Sequence, residues 1–148
     1  MMRIDFHSNV PDKLNYTCRL IRKARAANCQ VVVFDSNRAQ LDALNSALWT
    51  FSEIDFLPHV MQGDALATHT PVILTDDVTA IFPHHQLLIN LTATTPSHFD
   101  QFERMIEIIA TDDAATAAGR ERYRFYQQQG HTLSHTNANA PNGAAKVR

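Results

Sequence analysis

Glycine is scarce in this chain: 148 residues hold only Gly63, Gly119, Gly130 and Gly143. That scarcity excludes more than any other feature of the composition. Nucleotide sites of the P-loop and GxGxxG kinds need glycines where a strand turns into a helix, so that backbone N–H groups can approach a phosphate closely. The two segments placed to be such turns, His7-Ser8-Asn9-Val10-Pro11-Asp12 and Asp35-Ser36-Asn37-Arg38, contain none. Cysteine is nearly as rare. Cys18 and Cys29 are too few for a disulfide framework and fit no zinc-ligand spacing, which points to a reducing cytosol. No apolar run approaches the length of a membrane span, and Asp5 places a carboxylate where a signal peptide would be building its apolar stretch, so a soluble cytoplasmic protein is expected. Nor is there an excess of one charge. With 13 basic and 15 acidic residues, net −2, nothing global steers the protein to nucleic acid or anionic lipid.

What is present is a run of short apolar segments in a chain that is 45% hydrophobic and long enough for one domain. Residues 3–7, 30–34 (QVVVF), 71–74 (PVIL) and 86–91 (QLLINL) are near-continuously apolar at their centres, as strands covered on both faces of a parallel sheet are. Residues 55–60 form a weaker edge or irregular strand holding Pro58. Between them lie segments of helical period. Leu14, Cys18 and Ile21 form one stripe before Asn28, and Leu41, Leu44 and Leu48 form another after an N-cap at Ser36 or Asn37. The spacing of Phe99, Phe102, Ile106 and Ile109 predicts a further helix from near Ser97. A last helix should start at Asp112 or Asp113 and stop before Gly130. Strands alternating with helices read as βαβ units, hence α/β. Beyond Leu133 the chain turns small and polar and is expected to be a disordered tail.

Chemistry is thin on this scaffold. Asp35, Asp76 and Asp77 follow predicted strands, where a metal-dependent phosphoryl-transfer enzyme would hold magnesium, but aspartate after a strand more often starts a turn or caps a helix. Eight histidines include His59, His69 and the adjacent His84 and His85, yet no HExxH or Cys/His cluster completes a ligand set. There is no GxSxG elbow, and Cys18 on an apolar stripe reads as a buried, inert thiol. No metal or cofactor is expected. Surfaces remain. Lys13, Arg19, Arg22, Lys23 and Arg25 line the first helix, either as a phosphate-contacting patch or, more commonly, as a solvated face. Arg120, Tyr123, Arg124 and Gln127 fall at i, i+3, i+4 and i+7, so two guanidinium groups and an aromatic share one helix face, an arrangement suited to an acidic peptide ending in an aromatic. Trp49, Phe51, Phe56 and Leu57 are either core under a loop or an exposed anchor for a partner chain.

Three stretches, taken in order and spacing, resemble the chi subunit family of the bacterial DNA polymerase III holoenzyme: LDALNSALWTFSEIDFLPH (41–59), QLLINLTATTPSHFDQFERMIEIIA (86–110) and GRERYRFYQQQGHTL (119–133). The resemblance runs from about residue 3 to about residue 137. It implies a Rossmann-like three-layer α/β domain with a mainly parallel central sheet and no nucleotide-binding loop, spanning residues 1–137, with 138–148 as a disordered tail. It also implies a non-catalytic, replisome-associated adaptor of the clamp-loader complex that does not bind nucleic acid directly. Its implied partners are the psi subunit and the acidic C-terminal tail of single-stranded DNA-binding protein, with a DNA-repair helicase as an alternative partner on the psi-facing surface. By position, Arg120, Tyr123 and Arg124 match the family's tail-binding helix, and Trp49 and Phe56, with Leu57, match the psi-facing region. Thr116 stands where some members carry a basic residue, which shortens the basic ridge.

Overall fold

The computed structural model describes residues 2–50, 59–61, 71–77 and 82–138. Its strands are β1 (Arg3–Val10), β2 (Val31–Phe34), β3 (His59–Met61), β4 (Val72–Thr75), β5 (Leu87–Asn90), β6 (Arg104–Ala110) and β7 (Thr132–Asn137), and its helices are α1 (Lys13–Ala26), α2 (Arg38–Thr50) and α3 (Asp113–Gln128). The seven strands form one sheet in the order β3-β4-β2-β5-β6-β1-β7, and every pairing is parallel. Helices α1 and α2 cover one face through Cys18, Ile21, Leu41 and Leu44. Helix α3 covers the other, its Tyr126 sharing a core cluster with Ile4, Phe6 and Met105 of the sheet. The result is the three-layer arrangement in which βαβ crossovers bury a parallel sheet on both sides.

Local chemistry sets the helix ends. The Asp12 carboxylate accepts from Asn15 N at 3.1 Å to start α1, Asn37 Oδ1 accepts from Gln40 N at 3.2 Å to start α2, and the Asp112 carboxylate accepts from Ala115 N at 3.0 Å to start α3. Gly130, at φ 87°, takes the left-handed conformation that ends α3. Burial pushes the Cys18 thiol up to about 11, in keeping with an inert core residue.

Two expectations fail. The stripe Phe99, Phe102, Ile106, Ile109 does not lie on a helix: Phe99–Gln101 is a single 3-10 turn, and Arg104–Ala110 is β6, fully inside the sheet. Its sequence, RMIEIIA, is a β-branched run whose alternate residues face opposite helix layers, Ile106 and Ile108 toward α1 and α2, Met105 and Ile109 toward α3. Nor is the chain disordered after Leu133. Thr132–Asn137 is β7, paired with β1 from Arg3↔Thr132 to Ser8↔Asn137; as an edge strand it has little to bury, which explains its polar composition. The weak strand read at 55–60 falls partly outside the described residues; β3 is an edge strand, as read. Residues 139–148 also lie outside them.

Asp5 ties the three strands at this edge together. It is 2% exposed, accepts from Arg104 Nε at 2.7 Å and from the Ser134 hydroxyl, and lies 3.2 Å from Arg3 Nε. Burial pushes its carboxyl upward, but Ser134, Arg104 and Arg3 outweigh that and hold it below the usual range. A carboxyl depressed by folding contributes stability above its unfolded value and loses it as pH falls through the folded one. Asp5→Asn should therefore cost about 1–3 kcal/mol at neutral pH. The gap from wild type should narrow below about pH 4, as urea unfolding at neutral and acid pH would show.

Candidate functional site

Beyond the carboxyl ends of β2 and β5, the place where open α/β sheets usually hold ligands, a cavity of about 220 Å³ is lined by Lys13, Leu14, Thr17, Asp35, Leu44 and Leu91, among others. Two of its polar contacts serve the fold, while the buried Thr17 Oγ1 and Asp35 Oδ2 have no hydrogen-bond partner among the described residues. Lys13 Nζ donates to Leu91 O at 2.6 Å, and Asp35 Oδ1 accepts from Asn37 N at 2.9 Å as a turn-forming aspartate does. Burial pushes the Asp35 carboxyl upward, against that backbone bond and Lys13. Asp76 lies 3.6 Å from Arg38 Nη1, and Asp77 N donates to Thr75 Oγ1 at 2.9 Å. Among the described residues, no group of three or more His, Cys, Asp or Glu side chains gathers to hold a metal, so Asp35, Asp76 and Asp77 do not assemble a magnesium site.

The second recess, about 320 Å³, opens between α3 and the β1–β7 edge. Thr116, Arg120 and Tyr123 stand on one face of α3 at i, i+4 and i+7 and form one wall. Phe6 and Ile109 are apolar and buried beneath it, and Ser8 and His135 close the sheet side. The placement follows from register: Phe6 pairs with His135, so alternate residues of β1 and β7 point together toward α3. Helix α3 sits hard against β6 because Gly119 has no side chain; a Cβ there would lie 2.4 Å from Ile109 Cδ1. The Tyr123 ring packs on Phe6 at 5.1 Å between centroids. Of the predicted trio, the structure brings Arg120 and Tyr123 to the recess. Arg124 is exposed on the same helix but does not line it.

Sequence reasoning missed Ser8 and His135, whose Oγ and Nε2 lie 2.6 Å apart. The sequence pattern puts Ser8 in a turn and His135 in a polar tail. The signal available was the Thr and Leu content of 132–137, which suits an edge strand.

Behind the recess, α3 is anchored by a buried polar network. Glu107, with no exposure, accepts from Arg122 Nε at 3.2 Å and Nη2 at 3.1 Å, from Tyr126 Oη at 2.6 Å and from Asn90 Nδ2 at 2.8 Å. Arg122 Nη1 also donates to Ala93 O at 2.7 Å. Burial pushes the Glu107 carboxyl upward while Arg122, Tyr126 and Asn90, all presenting donors, oppose it. The Tyr126 phenol is raised by burial and then by Glu107.

Trp49, near the end of α2, is 54% exposed, an unusual state for the largest side chain. Phe51, Phe56 and Leu57 lie outside the described residues. The basic residues of α1 have local work: Lys23 and Arg25 stand in its last turn, Arg25 Nη1 donates to Cys29 O at 3.1 Å, and Arg19 lies 6.0 Å over the Tyr16 ring. No helix among the described residues is long and apolar enough to cross a membrane.

Comparison with known proteins converges on one family. The family model described as "DNA polymerase III chi subunit, HolC" matches residues 1–134. The DNA polymerase III subunit chi of Pseudomonas aeruginosa is 31% identical over 137 residues, covering 90% of this chain and 94% of that one, and that of Haemophilus influenzae is 28% identical over 120 residues, covering 81% and 83%. Among solved structures, the C-terminal domain of the DEAD-box protein Dbp5 shares the fold, with a TM-score of 0.63 at 10% identity over 99% of this chain and 95% of that one. This chain belongs to the DNA polymerase III chi subunit family.

Proposed function

We propose that this replication accessory subunit is a non-catalytic adaptor that holds the acidic C-terminal tail of single-stranded DNA-binding protein in the α3 recess and the psi subunit on the surface around Trp49. The observation that carries the reading is the recess itself: an apolar floor of Phe6 and Ile109, an aromatic wall at Tyr123, and the Arg120 guanidinium lining it. Charge-assisted bonds from Arg120 orient the tail's carboxylates, and burial of its terminal aromatic holds it. Arg124 adds attraction from outside the recess. Each contact is exposed and weakened by salt, so affinity on coated DNA comes from the number of tails presented.

Trp49, with Phe56 and Leu57 following it in sequence, forms the psi-facing anchor, and the same surface serves a DNA-repair helicase in psi's place. The reading gives bare nucleic acid no role: Lys13 and Arg25 of α1 donate to the backbone carbonyls of Leu91 and Cys29.

Calorimetric titration with the tail peptide tests the reading. Arg120→Ala should weaken binding roughly tenfold to a hundredfold, as loss of a charged hydrogen-bond donor does. Arg124→Ala should weaken it less, and deleting the terminal aromatic should abolish it. If the wild type fails to bind at low salt, the recess is not a tail receptor and the Trp49 surface becomes the function to examine.

A further inference from the structure

The recess has a second potential cation, and it comes from the sheet rather than the helix. His135 stands on β7, in register with Phe6, on the face turned toward α3. It lines the same 320 Å³ space as Arg120, and its Nε2 is 2.6 Å from Ser8 Oγ. On α3 the position a turn before Arg120 is Thr116, which carries no charge. We infer that His135 is a further binding residue of this recess and that capture of a peptide carboxylate between Arg120 and His135 takes up a proton on the imidazole. The inference rests on the tail-binding reading above.

The electrostatics follow from what faces the imidazole. From α3 come Thr116, Tyr123 and the Arg120 guanidinium; from β1 come Phe6 and the Ser8 hydroxyl. No carboxylate lines the recess among the described residues. Asp5 and its partner Ser134 lie on the opposite face of the sheet by strand alternation. His7 is also on that face, against Tyr16 Oη at 2.5 Å, and burial pushes it down to about 4, so it stays neutral across the range in which histidines ordinarily titrate. In the free protein the His135 ring and the Arg120 guanidinium line one recess with no carboxylate lining it among the described residues. A carboxylate entering between them raises the affinity of the ring for a proton, because an opposite charge within a few ångströms favours the protonated imidazole. Binding and protonation are thereby linked: each strengthens the other by the same factor. Asn9 Nδ2 donates to Asn137 Oδ1 at 3.3 Å across the same two strands.

The test is calorimetry of an N-acetylated tail peptide between about pH 6 and pH 8, where the peptide's own carboxylates stay ionised. Runs at fixed ionic strength in buffers of different ionisation heat would report the protons exchanged. The wild type should bind roughly fivefold tighter at the acid end and take up a fraction of a proton. His135→Asn should lose the acid-end gain in affinity and with it the pH dependence. An imidazole NMR titration of the wild type with and without peptide gives a second readout that requires no variant: the His135 midpoint should rise on binding. A pH-independent wild-type affinity, or an unmoved His135 midpoint with peptide bound, would overturn the role of His135 and leave the tail reading intact. Absence of binding at every pH would overturn both.

Discussion

Arg122→Met should lower the thermal midpoint by roughly 10–15 °C, corresponding to about 3–5 kcal/mol, while leaving the fold cooperative. The reason is what the substitution leaves behind. Glu107 is wholly inaccessible, and Arg122, itself nearly buried, supplies two of the four hydrogen bonds it accepts. Removing the guanidinium strands a carboxylate in the middle of β6 and frees the Ala93 carbonyl of its donor. The pH dependence has a definite sign. Without Arg122 to oppose burial, the Glu107 carboxyl rises further, so the folded state binds a proton that the unfolded state has released. A carboxyl raised by folding makes stability fall as pH rises above the ordinary carboxylate range, so the deficit of the variant should be smaller near pH 5 than near pH 8. The double variant Arg122→Met/Glu107→Leu should recover much of the loss, because an apolar pair avoids the desolvation of either charge. Scanning calorimetry of the two variants at both pH values checks all three expectations.

Phe6→Ala should cost a similar 3–5 kcal/mol, roughly the value for emptying an aromatic site in a packed core. Phe6 is 2% exposed and meets both aromatic residues by which α3 grips the sheet, Tyr123 at 5.1 Å and Tyr126 at 5.9 Å between centroids. Phe99, only partly buried against Tyr126 at 5.1 Å, should cost distinctly less when truncated to alanine, and paired urea titrations would separate the two. The Phe6 variant should also bind the tail peptide more weakly, since Tyr123 loses the ring that fixes it as a wall of the recess.

Much of the fold can be read along the chain because the inner strands are apolar on both faces. Val31–Phe34 and Leu87–Asn90 are buried end to end, and their sequences say so. Arg104–Ala110 reads as helix along the chain because Phe99, Phe102, Ile106 and Ile109 fall three or four residues apart. The carboxylate buried in this central strand, Glu107, is explained by partners distant in sequence, above all Arg122, fifteen residues on. The candidate site divides the same way. Arg120 and Tyr123 are legible because one helix face carries both. The sheet side, Ser8 against His135, joins residues 127 apart in sequence through strand register, which local patterning does not encode.

The position of β1 has a consequence for synthesis. It lies between β6 and β7, so both strands that enclose it come from residues beyond 103. As the chain leaves the ribosome, its first strand waits unpaired through most of translation, with Ile4 and Phe6 uncovered until α3 and the last strand emerge. The surface that forms the recess is therefore assembled last, from the two ends of the chain, and a nascent chain stopped short of β7 presents neither a closed sheet edge nor a complete recess.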